Sequence, residues 1–206
     1  MVTMLIDHIG YLFFPGDASW RIIGRLAFPI YAYALVLGYH RTRNLPRYLR
    51  RIALIAALSQ IPYMMAFDVM EVNVVGTLLV CLLLLWLLDR WKQSMPLQAI
   101  AILAGTALLE IVPCDYGAYA LVLVLIYRYA PAKWMMLAHL ALNLFFLFHK
   151  GWDIQLFSLL ATILLVYLPD FIKAANRIPV PKLLWRSFYP LHLLILALLH
   201  HYVNNV

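Results

Sequence analysis

The chain has 206 residues, of which 66% are hydrophobic and only 12% charged, with a formal net charge of +7. A soluble domain carries about 45–50% apolar and about 25% charged residues, so an ordinary water-soluble fold is excluded. The basic excess lies between apolar runs, where orientation in a membrane explains it without nucleic acid.

A mean hydropathy of +0.86 and short polar breaks point to an all-α, polytopic membrane helical bundle. It reads as a single transmembrane domain over residues 1–206. About nine helices are predicted: 2–14, 21–40, 49–67, 72–91, 97–113, 116–130, 133–149, 153–168 and 184–203. The first is shorter than the ~20 residues of a perpendicular span, which tilt or a thinned bilayer accommodates. It has neither the basic flank nor the cleavage site of a signal peptide. Cys81 falls within a span and Cys114 at a loop edge, so no disulfide framework is expected. Trp20, Trp91, Trp134, Trp152 and Trp185 lie at span ends and read as interfacial anchors.

Placing the N-terminus in the cytoplasm puts the basic breaks on one side. These hold Arg41, Arg43, Arg47, Arg50, Arg51, Arg90, Lys92, Arg128, Lys133, Lys173, Arg177, Lys182 and Arg186. The opposite side keeps Arg21, Arg25 and Lys150, with Asp17, Asp68, Glu71, Asp115 and Asp153. The asymmetry predicts a cytoplasmic N-terminus, an external C-terminus and an odd number of spans.

Four stretches carry candidate chemistry. Asp7-His8 lies inside the first apolar run, where each ionisable group needs a partner. Arg25 and His192 are the partners expected. A neutral imidazole there acts as a general base while a carboxylate orients or charges it; the bland reading is a polar pair that locks helices. Arg25 lies a turn inside the second helix, and Pro29 loosens the backbone one turn later. Such a guanidinium suits a carboxylate or phosphate, or else pairs with Asp7 or snorkels. Gly24 reads as a packing residue.

The loop at positions 41–51 holds five arginines, Arg41, Arg43, Arg47, Arg50 and Arg51, with Thr42 and Tyr48 among them. It reads as a phosphate site, a topology determinant or a contact with anionic lipid headgroups. The last helix opens with Arg186-Ser187-Phe188-Tyr189-Pro190-Leu191-His192, where Tyr189 and His192 share a face. Gln60, Asn73, Asp115 and Tyr116 are further polar candidates for a substrate pocket, whereas His139 and Asn143 read as an interhelical packing pair. There is no zinc spacing, Walker pattern, dinucleotide glycine pattern or Gly-x-Ser-x-Gly elbow, so no metal or redox cofactor is expected.

In order, Asp7-His8-Ile9-Gly10, Gly24-Arg25-Leu26-Ala27-Phe28-Pro29 and Gly38-Tyr39-His40-Arg41-Thr42-Arg43-Asn44 with Tyr48 and Arg51 resemble the TraX family of membrane proteins. Ser59-Gln60-Ile61-Pro62, Val72-Asn73-Val74, Asp115-Tyr116-Gly117 and Phe188-Tyr189-Pro190-Leu191-His192-Leu193 continue the likeness over almost the whole chain. The departure is the abrupt N-terminus, where relatives have a longer first helix. The family is named for a conjugal-transfer protein that looks like the acetylase of the pilin N-terminus. It is more distantly similar to multi-span acyltransferases with an essential histidine in an early helix.

The resemblance implies an acetyltransferase of the bacterial cytoplasmic membrane, with acetyl-CoA as co-substrate. An amine or hydroxyl acceptor (a pilin-like protein, glycan or small molecule) would be acetylated at the outer side. His8 would be general base or transient acyl carrier, beside Asp7, with Arg25, Tyr189 and His192 in the catalytic group. Arg41, Thr42, Arg43, Tyr48 and Arg51 would hold the CoA phosphates, and Gln60, Asn73, Asp115 and Tyr116 would face the acceptor. The alternatives are a proton-coupled transporter of a small anion and a non-catalytic membrane assembly protein.

Overall fold

A computed structural model describes residues 1–168 and 181–204. Lys173 and Arg177, two of the residues used for orientation, lie outside the described residues. The helices are α1 (Val2–Phe13), α2 (Ala18–Gly24), α3 (Ala27–Arg41), α4 (Leu45–Phe67), α5 (Val74–Arg90) and α6 (Met95–Ile111). They continue as α7 (Gly117–Tyr129), α8 (Ala132–Lys150), a 3-10 turn (Ile154–Ser158), α9 (Leu159–Tyr167) and α10 (Lys182–Asn204). Ala18–Arg41, Ala132–Lys150 and Leu183–Val203 are long and apolar enough to cross a membrane; α1, α6, α7 and Ile154–Tyr167 are shorter apolar rods.

The expected 21–40 helix is two helices. Proline has no N–H to offer a carbonyl four residues back, and Pro29 therefore leaves that of Arg25 without its helical donor. The rod breaks at Arg25–Leu26, where Leu26 N–H bonds the Ile23 carbonyl at 3.3 Å in a tighter turn. The break lets α2 follow α1 while α3 enters the core. α4 starts four residues before its expected position, because Asn44 caps it (Arg47 N–H to Oδ1, 2.9 Å) and Pro46 fits the first turn.

The core surrounds α7, which is apolar on every side and contributes Tyr119, Leu121, Leu123 and Val124 to it, all fully buried. Polar groups there are matched across helices. The Tyr119 hydroxyl meets His139 Nε2 at 2.9 Å and donates to Asn143 Oδ1 at 2.8 Å, while His139 Nδ1 lies 2.6 Å from Thr162 Oγ1. His139 and Asn143 thus join α7, α8 and α9.

At one end of the bundle the α4–α5 and α6–α7 loops are tied together. Val72 N–H bonds the Pro113 carbonyl at 2.8 Å, and Asp115 N–H bonds the Val72 carbonyl at 2.9 Å. Asn73 anchors the first of these loops. Its Oδ1 caps α5 through Val75 N–H and Gly76 N–H, and its Nδ2 donates to the Ala56 carbonyl (2.9 Å) and Gln60 Oε1 (2.8 Å). Gln60 Nε2 donates in turn to the Glu71 carbonyl at 2.7 Å.

Removing Asn73 deletes a helix cap and strands buried acceptors. Asn73→Ala should cost about 2–3 kcal/mol of stability, read by thermal or SDS unfolding of the purified protein. A change below about 0.5 kcal/mol, the scale of an ordinary surface substitution, contradicts the assignment.

Candidate active site

On α1, Met4, Asp7, His8 and Tyr11 fall on one stripe at helical spacing and line a cavity of about 550 Å³. On α4 the cavity wall includes both Tyr48 and Phe67, separated along the axis by roughly 28 Å at ~1.5 Å per residue. That is close to the ~30 Å hydrocarbon thickness of a bilayer. Arg21, Arg25, Glu71, Asp115 and Tyr116 also line a second cavity of about 460 Å³, bounded beyond them by Lys150, Trp152 and Asp153. The two spaces share the end built from the α4–α5 and α6–α7 loops.

His8 is held by His192. His8 Nδ1 lies 2.9 Å from His192 Nε2, with the rings nearly parallel, and His192 Nδ1 lies 2.6 Å from the Phe188 carbonyl oxygen. A carbonyl only accepts, so neutral His192 carries its proton on Nδ1 and offers the Nε2 lone pair. His8 must then donate from Nδ1. Its own Nε2 is left with a lone pair, the form a general base requires.

Asp7 has a different task from the one expected. Its Oδ1 lies 3.1 Å from Arg21 Nη1, an ionic contact without hydrogen-bond alignment, so the partner is Arg21 and not Arg25. Nor does Asp7 orient the imidazole; His192 does. The reason is geometric: adjacent helical residues point about 100° apart, so Asp7 faces α2 while His8 faces α10. Asp7 sits directly over Gly24, where any Cβ would overlap the carboxylate.

Arg25 Nη1 donates to the Tyr116 hydroxyl at 3.0 Å, and Tyr116 stacks on Phe28 with ring centroids 4.0 Å apart. Tyr116 adopts a left-handed backbone (φ 64°), a strained position for a residue with a Cβ, which turns its side chain into the site. The Tyr189 hydroxyl is buried on the same cavity, beside His8, and has no hydrogen-bond partner among the described residues. A buried, unsatisfied phenol beside a cavity is a candidate donor to a ligand.

Of the other expected residues, Tyr48 and Arg51 line the large cavity; Arg41, Thr42 and Arg43 do not. Thr42 Oγ1 instead engages its own loop at Asn44, with Arg41 and Arg43 exposed on either side. Asn73 and Gln60 spend their polar atoms on each other and on backbone, and line neither cavity. Sequence reasoning missed Arg21, Glu71, Trp185 and Arg186 as cavity residues. Spacing offered a signal for two of them: Arg21 precedes Arg25 by one helical turn, and Arg186 precedes Tyr189 by three residues. Trp185, expected as an interfacial anchor, lines the cavity and stacks on Tyr31.

The family model described as TraX protein matches residues 1–200. The chain belongs to the TraX family. Among curated proteins it is similar to the "Probable fimbrial assembly protein FimC, serogroup H1" of Dichelobacter nodosus. The two are 30% identical over 210 residues, covering 92% of this chain and 80% of the relative. No solved structure matches at a significant level. The cavity therefore describes a TraX chain through its own geometry.

Asp115 gives this TraX site a pH dependence. It lies in the α6–α7 turn, outside the helices, and burial pushes its carboxyl from an ordinary 3.8 up to about 7, against the opposing pull of Arg25. The folded state thus binds the proton more tightly than the unfolded state. The stability it contributes is complete below pH 3.8 and is lost as pH rises towards about 7. Asp115→Asn should remove that slope, so melting temperatures of variant and wild type should diverge between pH 4 and pH 7. Parallel melting curves across that range would contradict the assignment.

Proposed function

We propose that the protein is a multi-pass acetyltransferase of the bacterial cytoplasmic membrane. It carries acetyl from cytoplasmic acetyl-CoA to an amine or hydroxyl acceptor at the outer side. The observation that carries this reading is the chain of contacts from the Phe188 carbonyl through His192 to His8 Nδ1, which leaves Nε2 of a neutral His8 as the acceptor, with His8 in the wall of a cavity about as long as a bilayer is thick. Charge asymmetry supports a cytoplasmic N-terminus. On that orientation the arginine-bearing first turns of α4 face the cytoplasm, and Glu71, Asp115 and Tyr116 face outward.

The chemistry balances with the residues present. The acceptor nitrogen or oxygen attacks the thioester carbonyl as its proton passes to His8 Nε2. The Tyr189 hydroxyl, free of other partners among the described residues, donates to the developing oxyanion, and Arg25, one turn deeper than Arg21, adds positive charge on the outer side of the cavity. The C–S bond then breaks, and sulfur leaves with the proton from His8 as free CoA. An acetyl-His8 intermediate gives the same balance in two steps, with CoA leaving before the acceptor attacks. The apolar walls exclude water, protecting the thioester.

The printed name of the Dichelobacter relative, a fimbrial assembly protein, favours a pilin-type acceptor over a glycan or small molecule. It equally favours a second reading, assembly without catalysis, in which cavity residues tolerate substitution. Acetyl-CoA turnover with the purified protein separates the two. His8→Ala should lower acceptor acetylation by about 10²–10⁴-fold, the usual contribution of a positioned base. His192→Ala, which frees the tautomer but keeps the base, should fall between. Equal, measurable rates for wild type and His8→Ala would remove His8 from the reaction, and a wild type without turnover would leave the assembly reading.

A further inference from the structure

The charged side chains of the large cavity divide unevenly. Arg21, Arg25, Glu71 and Asp115 belong to the end shared with the second cavity, and Asp7 is bound to Arg21. That leaves Arg51, on the second turn of α4, and Arg186, on the second turn of α10, with no carboxylate among the lining residues to neutralise them. Neither enters an ion pair among the described residues. Arg51 lies over the Tyr48 ring at 5.2 Å. Trp185, 51% exposed, presents an indole beside Arg186 and is backed by Tyr31. Between these groups and His8 the wall is apolar, formed by Leu35, Ile52, Ile55 and Phe188.

Two unneutralised guanidiniums and the exposed Trp185 indole match a phosphate-bearing ligand that also carries a flat base. An apolar slot matches an uncharged chain. Resting on the acetyl-CoA reading above, we infer that Arg51 and Arg186 hold the donor's phosphates and Trp185 its adenine. The pantetheine arm then runs along the apolar wall, bringing the thioester to His8. The phosphate seat is thus divided between α4 and α10, helices that pack along each other, and is not the exposed loop at Arg41 and Arg43. Guanidinium geometry suits phosphate bidentately, and a base stacks on indole without needing hydrogen bonds.

The test is equilibrium binding of CoA, 4′-phosphopantetheine and pantetheine to the full chain in nanodiscs of zwitterionic lipid, repeated with anionic lipid added. Arg51→Gln and Arg186→Gln change exposed residues, so folding is expected to survive; Arg186→Lys gives a charge-retaining control. Each Gln variant should weaken CoA about tenfold, the loss of one charge-assisted hydrogen bond, and leave pantetheine unchanged. Trp185→Leu should weaken CoA but not 4′-phosphopantetheine, and Arg43→Gln should weaken neither. Wild-type binding of CoA by both Gln variants, with turnover intact, overturns the seat and leaves the transferase reading standing. Loss of CoA binding only when anionic lipid is present in the wild type, and not in the variants, assigns the two arginines to lipid headgroups instead. A wild type that binds no CoA and turns over no acetyl-CoA overturns both inferences.

Discussion

Asp7 and Arg21 face each other where α1 meets α2, with Gly24 underneath. A carboxylate in an apolar bundle carries a large desolvation cost, and a guanidinium 3.1 Å away offsets it. The contact closes only because residue 24 has no side chain: a Cβ there would occupy the position of the carboxylate. α1 is twelve residues long and touches α2 more than any other helix. This polar contact therefore decides where the remainder of α1 lies, and with it His8. Neighbouring side chains on a helix diverge by about 100°. Binding Asp7 to α2 consequently turns His8 towards α10, where His192 meets it.

From that placement the rest of the site follows. His192 is itself fixed by the carbonyl of Phe188, one turn earlier on its own helix, so the lone pair of His8 is specified by backbone. No charged group is needed to set the tautomer. At one end of the cavity Arg25, Tyr116 and Asp115 are held by loops pinned to each other through Val72 and Asn73. The opposite stretch has arginines and aromatic rings without acids. A single cavity with chemically different ends suits a reaction whose two substrates arrive separately.

The helices were legible in the sequence because apolar run length and polar breaks are strong signals, and most boundaries agree within a few residues. What was misplaced had local causes. Pro29 marked a weak point, but the break falls at Arg25–Leu26 because the proline disables the carbonyl one turn before it. Asp7, His8, Arg25, Tyr189 and His192 stood out as ionisable or polar groups in apolar runs, and the fold gathers them. Their pairings were not legible, since Arg21 and Arg25 are one turn apart and only the tilt of α1 chooses between them. Asn73 and Gln60 were misread for the opposite reason. A buried amide looks like a ligand-binding group until its partners are known, and here both are committed to a helix cap and a loop. Arg186 and Trp185 resembled a charge and an anchor at a helix start. Their place in the cavity depends on how α10 lies against α4, a long-range contact that spacing within one helix does not encode.

On the proposed transferase reading, His8 Nε2 is the group on which the donor's acetyl carbonyl converges. The most direct test is a structure of the protein with a non-transferable acetyl-CoA analogue. The acetyl carbonyl carbon is expected within reacting distance, about 3–3.5 Å, of His8 Nε2, and its oxygen within reach of the Tyr189 hydroxyl. An analogue bound outside the cavity, or bound within it with the acetyl end away from His8, would contradict a role for His8 in the transfer.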